Sequence, residues 1–225
     1  MELKDISVNI PILSKSVKEG ENNKKIFESK KLLTINLISS PGSGKTTLLE
    51  NITPILNEKG FPSLVIEGDI ATTRDAERIN KKDIKCVQIN THGICHLESK
   101  MIRKAFEQFN VEHEKILFIE NVGNLVCPAE FYLGEHEKVA ILSVTEGEDK
   151  PEKYPLLFKE ASCILLTKVD LLPFLDLSEE VFISEIRKLN KESPIFLISK
   201  KNKNSYYKFV EWLIQKYSSI FGEVQ

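Results

Sequence analysis

The sequence predicts a three-layer α/β fold, a mainly parallel sheet flanked by helices, and three observations carry that reading. Seven short apolar runs recur from Leu32 onward: LLTINLI, PSLVIE, IKCVQI, KILFIE, KVAILSV, CILLT and PIFLI. They are rich in Val, Ile and Leu without strict polar alternation, as strands buried on both faces require. Stretches of helical character separate them, so strand and helix alternate throughout. A glycine-rich turn follows the first run directly, at the carboxyl end of a strand, where the functional loops of such sheets gather.

Taken in order, residues 1–31 come before this pattern. They are polar, lysine-rich and weakly periodic, and read as an N-terminal extension or a short helix packed loosely on the domain. The domain itself spans residues 32–225. Its expected helices are TTLLENITPILNEKG, ATTRDAERINK, LESKMIRKAFEQF, KPEKYPLLFKEA, SEEVFISEIRKLN and SYYKFVEWLIQKYSSIF. A chain of 225 residues has room for one such core and not for a second full domain.

A net charge of -2 argues against general nucleic-acid binding. No apolar run approaches the roughly 18 residues of a membrane span, and the opening MELKDISVNIPILSKS lacks the basic and apolar segments of a signal peptide. These points predict a cytoplasmic protein with neither nucleic-acid nor membrane partners. In a reducing compartment Cys86, Cys95, Cys127 and Cys163 are thiols or metal ligands in preference to disulfides.

The glycine-rich turn is Ser39-Ser-Pro-Gly-Ser-Gly-Lys-Thr46, which fits the P-loop pattern except that Ser39 stands at its first glycine. Gly42 and Gly44 let backbone N–H groups around Ser43 turn toward phosphate oxygens. The helix that begins here, with Thr47 in its first turn, adds a favourable field. Lys45 neutralises the β- and γ-phosphates, and Thr46 offers a hydroxyl to Mg²⁺. Ser39 shapes the turn without a phosphate contact of its own. A glycine turn that happens to precede a helix is disfavoured by the strand before it and the GKTT after it, so the fold is that of a P-loop NTPase.

Two acidic loops can complete this site. In Glu67-Gly-Asp69-Ile-Ala-Thr-Thr-Arg-Asp75, either Asp69 or Asp75 could hold Mg²⁺ directly or through water. Asp75 could instead only favour the first turn of a helix. In Ile119-Glu120-Asn121-Val122-Gly123, Glu120 could order water around Mg²⁺ or position the attacking water, and Gly123 could bring its N–H to the γ-phosphate where a side chain would crowd it.

Thr167-Lys-Val-Asp170 resembles the NKxD guanine motif with Thr in place of Asn. The Asp170 carboxylate can accept from both N–H donors on the Watson–Crick edge of guanine, and the Lys168 stem can lie over the ring. The missing Asn weakens a contact that braces the loop. Ser199, in Ile198-Ser-Lys-Lys201, stands where GTPases often carry an SAK loop, with Lys200 in place of the small residue.

Metal chemistry enters at Thr91-His-Gly-Ile-Cys95-His96 and at Asn121-Val-Gly-Asn-Leu-Val-Cys127. Both segments start at strand ends, so a parallel sheet puts them on one rim. Two thiolates and an imidazole suit Zn²⁺ or Ni²⁺, with a fourth position left to water, a partner residue or a second subunit. His92 is a possible fourth ligand. Cys86 and Cys163 sit inside strands and read as core thiols, and His113 and His136 as surface residues.

These segments resemble the hydrogenase nickel-incorporation GTPases of the HypB type. The similarity covers about residues 32–200 and rests on NLISSPGSGKTTLL, EGDIATTRDAERI, THGICHLE, IENVGNLVCP, SVTEGEDKPEKYP and the stretch from Lys168 to Pro173. The resemblance implies Mg²⁺-GTP binding, slow hydrolysis of GTP to GDP and GTP-dependent homodimerisation. It also implies a Ni/Zn site of Cys95, His96 and Cys127 at the dimer interface, a nickel-binding maturation partner, and, through it, a hydrogenase large subunit. Residues 1–31 contain neither Cys nor His, so nickel storage is not expected of them. A urease-type nickel GTPase is disfavoured because it uses a Cys-Pro-His motif. A small-molecule kinase would need no metal cysteines, and Lys45 with Thr46 disfavours a metal-buffering protein whose nucleotide site is a relic.

Overall fold

Each of the seven apolar runs forms a strand: β1 (Leu33–Ser39), β2 (Ser63–Asp69), β3 (Lys85–Asn90), β4 (Ile116–Glu120), β5 (Glu137–Ser143), β6 (Cys163–Thr167) and β7 (Ile195–Ile198). The structure is a computed structural model that describes residues 10–69 and 84–222; the expected helix ATTRDAERINK lies outside them. The strands make one sheet in the order β3-β2-β4-β1-β5-β6-β7, and every neighbouring pair is parallel. β1, β4 and β6 are buried at every residue. Their Val, Ile and Leu content follows from that two-sided burial.

The described helices are α1 (Ile10–Ser29), α2 (Lys45–Glu58), α3 (Ser99–Phe106), α4 (Cys127–Glu130), α5 (Lys150–Lys153), α6 (Pro155–Glu160), α7 (Glu179–Leu189) and α8 (Ser205–Phe221). One face of the sheet takes α2 and α8, whose Leu49, Ile52, Phe209 and Leu213 pack on Leu33, Ile35 and Leu37. On the other face Phe158, Phe182 and Ile186 cover Ile38, Ala140 and Ile164, and Phe27, Ile102 and Phe106 cover Leu64, Ile66 and Leu117. Each large apolar side chain so enclosed contributes roughly 1.5–3 kcal/mol. The single helix expected over KPEKYPLLFKEA is split at Tyr154, whose backbone (φ -126°, ψ 56°) leaves the helical region. Pro155 follows it, and proline disfavours helical geometry in the residue before it.

Segment 1–31 does not pack loosely in its described part. Phe27 is fully buried and meets Phe106 edge-on at a centroid distance of 5.0 Å. Gly20 and Asn23 share its buried face at helical spacing. Gly20 is required there, since a Cβ would stand 2.6 Å from the Tyr132 ring.

His136, expected at the surface, has a side chain only 3% exposed. Its Nδ1 accepts the Thr34 backbone N–H at 3.0 Å. Burial, reinforced by the nearby Lys24 charge, lowers the imidazole pKa from 6.5 to about 4. The unfolded chain therefore binds more protons than the folded chain between these values, and stability present above pH 6.5 is lost as the pH falls toward 4. Urea denaturation at about pH 7 and about pH 5 should show this loss. The loss should shrink in His136→Asn, whose side-chain oxygen can still accept from Thr34.

Candidate nucleotide and metal sites

The phosphate loop joins β1 to α2 and is already braced for a ligand. Gly42 and Gly44 take left-handed backbone angles of +75° and +103°, which glycine adopts without strain. Lys45 Nζ donates to Ser39 Oγ at 2.9 Å, so Ser39 holds the lysine over the loop as well as shaping the turn. Thr46 Oγ1 donates to Glu120 Oε1 at 2.8 Å. A cavity of about 340 Å³ opens here, lined by the loop, by Glu67, Gly68 and Asp69 of β2 and by the segment from Glu120 to Gly123. Thr46, Asp69 and Glu120 are thus brought together around one space, while Asp75 lies outside the described residues.

Gly123 is needed for close approach, but its neighbour is the loop itself. A Cβ there would stand 2.9 Å from the Cα and N of Pro41. Ser43 is braced from two directions. Its Oγ lies 2.7 Å from the Ser40 carbonyl oxygen and 2.6 Å from Glu146 Oε1, so its one proton is shared between two acceptors, and Glu146 also accepts the Ser143 N–H in a capping box. Glu146 is a residue that sequence reasoning missed. Its Ser-x-x-Glu spacing from Ser143 is the signal that marks it.

A second cavity, of about 230 Å³, lies on the other side of the loop and is the candidate base pocket, lined by Thr167, Lys168, Asp170, Lys200 and Tyr206 among others. Gly44 and Thr47 line both cavities. Ser199 Oγ donates to Asp170 Oδ1 at 2.9 Å, which fixes the carboxylate and gives Ser199 a supporting place. Lys168 holds a left-handed φ of +58° at the strand end. Thr167 does not leave the loop unbraced, as its difference from Asn implied. Its Oγ1 donates to the Ser43 carbonyl at 2.7 Å, tying the base motif to the phosphate loop.

On the same rim, Cys95, His96 and Cys127 converge. Their ligand atoms all lie within 4.8 Å of one another, with Cys95 Sγ 3.1 Å from Cys127 Sγ. The His96 ring stacks on Phe131 at 3.9 Å. Its pKa is lowered by burial against the opposing charges of Glu98 and Glu130, so the imidazole is neutral and able to ligate at neutral pH. The hydrogen bond to Cys95, with burial, raises the Cys127 thiol, so a metal ion must displace a proton to bind. Cys86 is pushed to about 12 by burial and Cys163 is raised well above its usual value, as core thiols are. His92 is exposed and stands outside the cluster.

The two sites are physically joined. Asn121, next to Glu120, accepts from the Leu97 N–H at 3.4 Å, and Leu97 follows His96 directly. Leu97 also packs on Gly68, where a Cβ would stand 2.8 Å from its side chain. Asn124 Nδ2 reaches the Cys95 carbonyl at 3.5 Å. Every strand end that lines the phosphate cavity therefore touches a ligand-bearing segment or continues into one.

The Thr167 brace has a measurable cost. Thr167→Val keeps the shape and removes the bond to the Ser43 carbonyl, a loss of about 1–3 kcal/mol when the partner stays buried. Titration with a fluorescent GDP analogue should show affinity lowered by about tenfold or more, and a wild-type value would remove Thr167 from the site.

Residues 33–197 match the CobW/HypB/UreG nucleotide-binding domain family. The hydrogenase maturation factor HypB of Escherichia coli K12 is 48% identical over 208 residues, covering 92% of this chain and 71% of that protein. The hydrogenase/urease maturation factor HypB of Helicobacter pylori J99 is 40% identical over 217 residues, covering 95% and 88%. The crystal structure of HypB from Helicobacter pylori in complex with nickel has a TM-score of 0.88 at 37% identity, covering 94% of this chain and 99% of that one. Matched in this way over most of its length, this chain belongs to the CobW/HypB/UreG family and, within it, to the hydrogenase maturation factors of the HypB type.

Proposed function

We propose that the chain is a GTP-hydrolysing metallochaperone that carries Ni²⁺ and couples hydrolysis to its insertion during hydrogenase maturation in the cytoplasm. The observation that carries this reading is the shared rim: a phosphate cradle and a two-thiol, one-imidazole cluster joined through Glu120–Cys127. Guanine is the base in this reading: the Asp170 carboxylate, held by Ser199, can accept from its Watson–Crick edge. Mg²⁺-GTP supplies the scissile phosphate bond. Lys45 would balance the phosphate charge, Thr46, Asp69 and Asp75 would offer oxygens to the magnesium ion, and Glu120 would order its water or position the attacking water. The Thr46 hydroxyl, which donates to Glu120 here, needs only to turn to meet the ion.

Nickel is cargo in this scheme, and Zn²⁺ competes for the same donors. Three ligands leave the metal exchangeable, as delivery requires. Ile94 and Val126 flank the thiols and expose 40% and 49% of their surface. Exposed apolar residues beside an incomplete coordination sphere favour a GTP-dependent homodimer closed over the metal. Transfer then runs to a nickel-binding maturation protein and on to the hydrogenase large subunit.

Two measurements test the scheme. Calorimetric Ni²⁺ affinities with GDP and with a non-hydrolysable GTP analogue should differ by about tenfold or more, within the usual range of coupling between sites; equal affinities would end the coupling model. Lys45→Ala should abolish phosphate release while leaving Ni²⁺ binding in the GDP-free protein intact, and unchanged turnover would reject the phosphate-site assignment.

A further inference from the structure

The N-terminal helix reaches the metal cluster from behind. Asn23 of α1 is 2% exposed. Its Nδ2 donates to two carbonyls on different segments: Ser99 at 2.8 Å and Leu133 at 3.0 Å. Its Oδ1 accepts from Arg103 Nε at 3.0 Å. Both donors and the acceptor of this amide are therefore engaged. Ser99 begins the helix that follows Cys95 and His96, and Leu133 lies on the strip that leaves Cys127 through α4 and Phe131.

The same two arms meet twice more. Ser99 Oγ donates to the Tyr132 carbonyl at 2.8 Å, and Phe131 stacks on the His96 ring at 3.9 Å with an interplanar angle of 15°. The backbone at Gly134 presses on Asn23 itself, since a Cβ there would stand 2.7 Å from the Asn23 Cβ. At the far end of the arms, Cys95 Sγ and Cys127 Sγ are 3.1 Å apart. One amide thus spans the base of a fork whose tips carry the ligands.

We infer that Asn23 is a positioning residue for the metal site, fixing the separation of the two backbone arms from which Cys95, His96 and Cys127 reach the ion. This rests on reading those three residues as the nickel site. Loss of the two donors strands two carbonyls, one on each arm, and lets the arms part. A three-ligand site that is no longer held in place must be ordered again when the ion binds, and its affinity falls. None of Asn23's hydrogen bonds to the described residues reaches the phosphate loop or the base motif, so the effect is specific to metal.

The test titrates Ni²⁺ into the full chain, read by calorimetry and by the thiolate-to-nickel charge-transfer band, with GDP affinity measured on the same samples. Asn23→Asp keeps the size and the acceptor for Arg103 but removes both donors. It should weaken nickel binding about 10–100-fold and perturb the band, with GDP affinity unchanged. Asn23→Ala should do at least as much. Wild-type nickel affinity and band in both variants would overturn the inference, and so would an equal loss of GDP affinity, which marks a general structural role. Cys127→Ser separates the two readings. If it binds nickel like the wild type, the metal-site assignment itself fails; if it loses nickel while both Asn23 variants keep it, only the positioning role fails.

Discussion

The site depends on the register of three parallel strands. Backbone pairing sets Glu67 of β2 level with Glu120 of β4, and Glu120 level with Leu37 of β1. The chain therefore leaves the sheet at one height on adjacent strands, into the phosphate loop, the acidic β2 end and the segment that leads to Cys127. A slip of one residue would turn each of these side chains to the opposite face. Register is secured by burial on both faces, and the apolar core thereby fixes a polar arrangement it does not touch. Asn36 extends the hold inward, since its amide accepts from Asn121 and donates to Glu135 beneath the rim.

Electrostatics then decide what that rim can bind. The lysine of the loop is held by a neutral hydroxyl, so its charge is not neutralised by the Ser39 contact and can be turned to phosphate. The imidazole of His96 is kept neutral by burial, and the Cys127 thiol is kept protonated by its sulfur neighbour and by burial. As proposed, two sites of opposite preference, one for anionic oxygen and one for a soft cation, share a few residues of chain without neutralising each other.

The strands, the phosphate loop and the thiol–imidazole cluster were legible because each depends on residue type at a fixed spacing. Val, Ile and Leu runs mean two-sided burial, Gly-x-Gly-Lys-Thr means a turned backbone over a helix, and paired strand-end cysteines mean a common rim. What escaped was decided by tertiary neighbours. Among the described side chains of α1 the buried face is Gly20, Asn23 and Phe27, a combination with no apolar periodicity, so the sequence pattern marks the helix as peripheral. His136 has no local mark of burial, because its partners Thr34 and Phe221 come from distant parts of the chain. Thr167 looked like a weakened guanine motif, yet a hydroxyl one bond from the backbone reaches the Ser43 carbonyl without an amide. Ser39 looked like a lost glycine and is the lysine's acceptor.

The contact of Gly123 with Pro41 carries a mechanical consequence. A glycine against the backbone and ring of a proline makes a stiff joint, because van der Waals repulsion rises steeply and neither residue has a freely rotating side chain to absorb a shift. Under the proposed function, a displacement of the phosphate loop by a few tenths of an ångström would press directly on the segment that leads to Cys127. Sulfur–metal bonding is sensitive to displacements on that scale. The absent methyl group at residue 123 thus lets the phosphate loop and the segment that leads to Cys127 pack directly on each other.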